Sequence, residues 1–480
     1  MKLTRRNFLK ASAFTAAAFS LPARSWANVV GSNEAIRVAV VGFNSRGMDA
    51  LGNFTKKEIG TRVVAICDVD SNVLNREVDK FKKRGETVAP YVDFRKLLES
   101  KEIDAVAIAT PNHWHALGAI WGVQAGKDVY VEKPVSHNVW EGRKIVEAAR
   151  KYNRIVQTGT QARSSFAIRE AVEWVRQGNL GKLLVARGTC YKRRESIGKV
   201  TSPQPIPDNI DYNLWCGPAQ MKPLMRSKLH YDWHWDFETG NGDLGNQGIH
   251  QMDIARWFLG ENALSPRVFS IGGRLSYDDD GNTPNTQIVF HDYKAAPLIF
   301  EVRGLPEKSG AKDMDKFMES RVGVLIHCEG GHVLVPNYSS AIVYDKEGKE
   351  IKRFQGAENH YANFVKAVLS RKSSDLNADI LEGHLSSALC HTANISYRLG
   401  KEAPVGKIKE KIKGNKEASE TLGRMLEHLQ LNDVDVNKTP LTMGEFLKMD
   451  PRAEKFIGNR KANQLLTRKY RAPFVVPDRV

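Results

Sequence analysis

Cysteine is scarce and unpatterned. The 480-residue chain has five, Cys67, Cys190, Cys216, Cys328 and Cys390, an odd number spread widely with no C-x-x-C pair. That excludes a C-x-x-C redox or metal motif and makes core thiols the expectation, with room for one or two bridges in an exported protein. Long apolar runs are lacking too. The uncharged run at 11–21 has 11 residues, short of the ~20 needed to cross a bilayer. Residues 105–126 contain no Asp, Glu, Lys or Arg, but Pro111, Asn112, His113 and His115 interrupt them, so a buried strand followed by a helix is expected and no stable membrane insertion. There is no internal repeat and no nucleic-acid motif. With 41% hydrophobic and 26% charged residues, the chain is not a disordered, collagen-like or multi-span protein.

What stands out is positive charge: Lys+Arg 71 against Asp+Glu 55, a net +16. Read alone, this suggests an anionic partner. Residues 1–27, however, carry Lys2, Arg5, Arg6, Lys10 and Arg24 and no acid, so removing them leaves +11. Thr4-Arg5-Arg6-Asn7-Phe8-Leu9-Lys10, an apolar core and Ser25-Trp26-Ala27 resemble a twin-arginine export signal with cleavage after Ala27. The alternative is a basic frayed end or a short anchor helix. The signal implies the twin-arginine machinery as a partner and a periplasmic or otherwise exported protein; no nucleic-acid partner is expected.

Apolar runs then alternate with helical patterns. Candidate strands at 36–41, 62–67, 105–109, 128–131 and 154–158 flank helical patterns at 71–84, 93–99, 113–125 and 138–151, the pattern of a doubly wound parallel sheet covered on both faces. After a helix at 165–177, β-like segments at 183–191, 267–274, 286–290, 298–303, 322–328, 332–335 and 341–345 predict a mostly antiparallel open sheet. Helices at 250–259, 358–370 and 379–399 would cover one face. The expected architecture is α/β followed by α+β, with domains at 35–160 and 161–405 and an extension at 406–480 that wraps the surface.

The first strand runs into Gly42-Phe43-Asn44-Ser45-Arg46-Gly47 and then a helix, the setting of a dinucleotide pyrophosphate turn, with Asn44 replacing the middle glycine. Asp68 follows Gly42 by 26 residues, at the end of the second strand, where a carboxylate would take the ribose hydroxyls. The alternative is a helix cap. Asp70 adds negative charge and no Arg follows directly, which favours NAD over NADP. Strand four ends in Thr110-Pro111-Asn112-His113-Trp114-His115 and strand five in Glu132-Lys133-Pro134, both at carboxyl ends that face the cofactor crevice.

These motifs, with Gly245-Asn246-Gln247-Gly248-Ile249-His250-Gln251-Met252-Asp253, resemble the glucose–fructose oxidoreductase/inositol dehydrogenase/MocA family over residues 35–400. The resemblance implies a Rossmann-type first domain and an NAD(P)-dependent oxidoreductase acting on a sugar, cyclitol or glycoside hydroxyl. It implies His250 as acid/base and Lys133 beside substrate and nicotinamide. Cofactor contacts are expected from Gly42, Asn44, Ser45, Arg46, Gly47, Asp68, Thr110, Pro111, Asn112, His115, Glu132 and Lys133. Substrate contacts are expected from Tyr191, Trp233, His234, Asn246 and His250.

One position departs from the pattern: the sugar and inositol dehydrogenases of the family often carry Asp where this chain has Asn246. Asp243 or Asp253 replaces it, or the reaction differs from simple alcohol oxidation. The aromatic stretch 229–237 suits the C–H faces of a sugar or forms a buried cluster. A metal at His230, His234, Asp236 and His250 is not expected, because Tyr-Asp-Trp between the first two histidines is a poor helix sequence. Free NAD is scarce outside the cytoplasm, so export implies a dinucleotide loaded beforehand and tightly held. The alternative activity is an NAD-dependent glycosidase that works by transient C3 oxidation and elimination. A carbohydrate-binding protein with a vestigial nucleotide domain would hold no dinucleotide. The open sheet makes a homo-oligomer the expectation.

Overall fold

A computed structural model describes residues 35–480; the expected export signal at 1–27 lies outside the described residues. The first sheet is built from β1 (Ile36–Val41), β2 (Thr61–Cys67), β3 (Ala89–Tyr91), β4 (Ala105–Ile108), β5 (Asp128–Val131) and β6 (Val156–Thr158). They are parallel, in the order 3-2-1-4-5-6. Ile36, Val38 and Val40 are fully buried against one helical layer and Ala39 and Val41 against the other, as an apolar run covered on both faces requires. The helices of this half are α1 (Gly47–Phe54), α2 (Ser71–Lys83), α3 (Phe94–Leu98), α4 (Asn112–Gln124) and α5 (Val139–Lys151). Asp70 caps α2 and Asn138 caps α5 through their side-chain oxygens. The charge-free stretch 105–126 divides into β4 and α4, and among the described residues no helix is long and apolar enough to cross a membrane.

After α6 (Phe166–Arg176), β7 (Leu183–Tyr191), the short α7 (Tyr212–Cys216) and α8 (Ile249–Leu259), the chain builds a twelve-stranded sheet. Its strands include β8 (Arg267–Gly273), β9 (Thr286–Asp292), β10 (Pro297–Arg303), β11 (Val322–Cys328), β12 (Gly331–Asn337), β13 (Ser340–Asp345) and β14 (Glu350–Gln355). Pairing is antiparallel except between β7 and β10. Then α9 (His360–Ser370) packs on the first half, while α10 (Ile380–Leu399) lies between the halves, touching both α5 and β8.

The short strands of the tail beyond residue 400 escape the sequence pattern, and so do two that precede it, β3 and β14. Both lie at sheet edges, where β3 carries Pro90 and β14 reads Glu-Ile-Lys-Arg-Phe-Gln, so neither shows the apolar run of a central strand. The tail packs as well as wraps. β15 (Lys401–Ala403), α11 (Val405–Ile412) and α12 (Lys416–Leu431) precede β16 (Leu441–Met443) and β17 (Leu447–Asp450), both paired with β8. Ile408, Met425 and Leu429 bury against Ile271 and Phe290, and Phe474 sits edge-on to Trp114 of α4 at 5.5 Å. All five cysteines are buried free thiols.

Candidate cofactor and active site

At the carboxyl ends of β1, β2, β4 and β5, where the strand order reverses, the loops line a cavity of about 460 Å3. Gly42 has φ +75°, and a Cβ there would stand 2.9 Å from the backbone of Thr110. A Cβ on Gly47 would lie 1.9 Å from the Gly42 carbonyl oxygen. Both glycines are therefore demanded by the backbone. Asn44 is not among the residues with positive φ, which is why a side chain is tolerated there. Asn44, Ser45 and Arg46 line the cavity, and Gly47 lies behind them.

Asp68 lines the β2 side. Its Oδ2 accepts from the Phe43 N–H at 3.1 Å and its Oδ1 from the Asp70 N–H at 3.0 Å, and burial raises its pKa above the usual carboxylate value. It is not the helix cap; Asp70 is. An arch from the second half closes this end, as Ser71 N–H donates to the Asn209 carbonyl, Asn209 Nδ2 to Asp70, and His230 Nε2 to Asp70 Oδ2 at 2.9 Å. Leu214, Trp215, His230, Tyr231, Trp233 and His234 bring the arch into the cavity wall. His230 thus serves as a latch, and among the described residues no His/Cys/Asp/Glu group is placed to hold a metal.

Lys133 is partly buried, and its Nζ donates to the Asn246 carbonyl at 2.5 Å. Burial lowers its pKa to about 8, with Glu132 pulling upward and Arg46 downward. Glu132 receives Arg46 Nε at 3.0 Å and Gln161 Nε2 at 3.1 Å, which fixes the base of the Lys133 turn. His115 faces the Pro134 carbonyl at 2.6 Å and the Thr110 carbonyl at 2.7 Å, stapling the β4 and β5 turns together. Asn112 donates to Asn241 at 2.9 Å; Pro111 and Thr110 line the cavity, and the buried Thr110 hydroxyl has no partner.

A π-turn, Leu244–Gly248, leads into α8 and sets the Asn246 backbone against Lys133. π-turns of this kind recur at functional sites. His250, one turn on, is buried behind the cavity wall with its ring 4.9 Å from that of Tyr338 and its Nδ1 unpartnered. Burial, reinforced by Lys133 and Arg46, holds its pKa well below the ordinary imidazole value.

The two aspartates that might stand in for the family residue are committed elsewhere. Asp243 grips Arg194 at 2.6 and 2.9 Å; Asp253 grips Arg163 at 2.8 and 2.9 Å and accepts from Ser386 at 2.6 Å. Burial would raise the Asp253 pKa, yet Arg163 holds it below the usual range. Removing one partner of such a buried pair costs about 3–5 kcal/mol.

The structure brings Asn44, Ser45, Arg46, Asp68, Thr110, Asn112, Lys133, Trp233, His234 and Asn246 to one cavity. Neither His250 nor Tyr191 lines it. The Tyr191 hydroxyl donates to Glu301 at 2.9 Å, and the residue lines a separate surface pocket with Gln247 and Tyr338. The Trp233 and His234 rings stack at 3.6 Å, and burial lowers the His234 pKa to about 3. The glycine cradle, the free Thr110 hydroxyl and the Asp68 carboxylate fit a dinucleotide: backbone N–H groups of the turn for the pyrophosphate and Asp68 for the ribose.

Residues 36–160 match the oxidoreductase family with an NAD-binding Rossmann fold, and residues 167–428 match that family's C-terminal alpha/beta domain. The chain belongs to the Gfo/Idh/MocA oxidoreductase family. It is 31% identical over 205 residues to a protein of Shewanella sp. (strain ANA-3) named glycosyl hydrolase family 109 protein 2, a match spanning 38% of this chain and 44% of that protein. It is 25% identical over 235 residues to the inositol 2-dehydrogenase of Salmonella paratyphi B, 49% of this chain and 57% of that one. The chain thus matches less than two thirds of the length of either relative. Its fold is similar to that of the WlbA dehydrogenase from Bordetella pertussis, solved with NADH and UDP-GlcNAcA, with a TM-score of 0.55 and 18% identity over 74% of this chain and 94% of that one.

Proposed function

We propose that the protein is an NAD-dependent oxidoreductase acting on a hydroxyl of a sugar, cyclitol or glycoside. The observation that carries this reading is the partly buried Lys133 ammonium, bound to a backbone carbonyl in the same cavity that the glycine turn and Asp68 line. When bound, NAD supplies the hydride acceptor. The N–H groups of the 42–47 turn bind its pyrophosphate; Asp68 accepts from its ribose hydroxyls and, with Asp70 nearby, disfavours a 2′-phosphate. Lys133 orients the substrate hydroxyl and stabilises negative charge on its oxygen. His250, kept neutral by burial, accepts the hydroxyl proton. Asn246 orients but cannot take a proton. The His230–Asp70 latch supports a dinucleotide held through turnover, which suits a chain that carries a twin-arginine leader, loads its cofactor in the cytoplasm and works after export.

A second reading, a redox-neutral glycosidase, is favoured by one observation: Asp243 and Asp253 are both locked to arginines, so no spare carboxylate completes a proton relay at His250. In that scheme transient oxidation at C3 would acidify the C2 proton, the aglycone would leave by elimination, water would add, and the same hydride would be returned to C3. The name of the Shewanella relative agrees with it. Incubating the protein with a panel of aryl glycosides and free sugars separates the two. An oxidised sugar without glycosidic cleavage supports the oxidoreductase; free aglycone with no net redox change supports the glycosidase. A protein that neither contains nor takes up a dinucleotide defeats both.

A further inference from the structure

A second cavity, of about 300 Å3, opens behind the loop that carries Asn241. Its floor is polar and deep: His137, Asn241, His391 and Asn394 are each less than a tenth exposed. These groups mostly satisfy one another. Asn394 Nδ2 donates to the Asn241 carbonyl at 2.9 Å, Asn241 Nδ2 to the His137 carbonyl at 3.0 Å, and His137 Nε2 to the Gly240 carbonyl at 3.1 Å. Arg468 donates to the remaining His137 nitrogen at 3.3 Å. Two buried groups are left over, the Asn394 Oδ1 acceptor and the Arg468 Nε donor. Buried polar atoms without partners are costly, and each such atom at a cavity wall points to a missing partner.

The charges point the same way. Arg398 stands exposed at the rim over the Phe237 ring, and among the described residues it has no ion-pair partner. The one carboxylate in the wall, Glu238, is already shared between Arg468 and Lys222. Partial burial pulls the Arg398 guanidinium below its ordinary pKa against the attraction of Glu238, and Arg468 adds to that. The site has a cationic excess, one free fork and one free acceptor. Arg468 belongs to the tail, beyond the residues that match the family, while Arg398, Asn241 and Asn394 lie within them.

We propose that this cavity is a second binding site, for a small carboxylate that also carries hydroxyls, the chemistry of a sugar acid. The carboxylate would lie on the Arg398 fork with Arg468 Nε beside it, and a hydroxyl would donate to Asn394 Oδ1. The volume suits a ligand of monosaccharide size. Asn241 joins the two cavities, since its Oδ1 accepts from Asn112 of the cofactor cavity. The site rests on none of the residues assigned to the reaction.

The test is calorimetric titration of the full chain with D-glucuronate, with D-glucose and acetate in parallel. Glucuronate is expected to bind with one equivalent at this site, and the two half-ligands at least about tenfold more weakly. Arg398→Met should weaken glucuronate by about tenfold or more with the melting temperature unchanged, and Arg398→Lys, which keeps the charge and loses the fork, should fall between. Lys133→Met should leave the affinity within about twofold, because the sites are separate. Absence of glucuronate binding, binding unaffected by Arg398→Met, equal binding of acetate, or loss of binding in Lys133→Met would each overturn the proposal.

Discussion

Lys133→Met is expected to lower kcat about 10^3-fold, equivalent to about 4 kcal/mol of transition-state stabilisation, while leaving the dinucleotide bound. The ammonium is partly buried and donates to the Asn246 carbonyl, which leaves donors for a substrate oxygen. Methionine fills a similar volume and removes the charge, so the fold should persist. The pH dependence separates a charge effect from a packing effect. Burial has lowered the Lys133 pKa to about 8, so the cation is present below that pH and lost as pH rises through it. Rates in the native protein should fall on the alkaline side with a midpoint near 8, and the residual rate of the variant should show no such fall. His250 stays neutral across the same range and contributes no step there. Steady-state rates from pH 6 to 10 on the best substrate of the glycoside panel check this.

Gly42→Val is expected to remove the dinucleotide. A β-branched residue at φ +75° is strained by about 1–3 kcal/mol, and its Cβ would press on the Thr110 backbone at 2.9 Å. Relief requires the turn to move away from β4, which withdraws the N–H groups that face the pyrophosphate. NAD affinity should drop about 100-fold or more, and the nucleotide released on denaturation should fall to less than about a tenth of an equivalent per chain. Asn44→Gly is the control. That position has ordinary φ, and NAD affinity should stay within about threefold of the native value.

The features legible in the sequence are those that depend on neighbours in the chain. The central strands, the Gly42 and Gly47 turn and the Glu132-Lys133-Pro134 turn follow from short-range periodicity and backbone demands, so they are found where the pattern places them. The edge strands β3 and β14 are hidden because edges are made polar or proline-bearing to prevent further pairing. The partners of the site were beyond local reading. Arg194 lies 49 residues before Asp243, and Arg163 lies 90 before Asp253, and nothing local announces either pair. The same holds for His230, which a His-x-x-x-His spacing presents as a metal candidate but which the fold sends to Asp70 as a latch. Tyr191 is aromatic and close in sequence to a run of cations, yet strand alternation turns its hydroxyl to Glu301.

In the proposed reaction this cavity would hold a dinucleotide as hydride acceptor, with the sugar carbon that gives up the hydride placed at Lys133. This arrangement is tested most directly by quenching the purified protein during incubation with carbon-deuterated sugars and glycosides, then weighing the released nucleotide by mass spectrometry. NAD(H) is expected at close to one equivalent per chain. Part of this pool should be heavier by one deuterium with the true substrate and unlabelled in Lys133→Met. A protein that releases no nucleotide and binds none when NAD is added, or one that turns over a labelled substrate without any deuterium reaching the nucleotide, would contradict it.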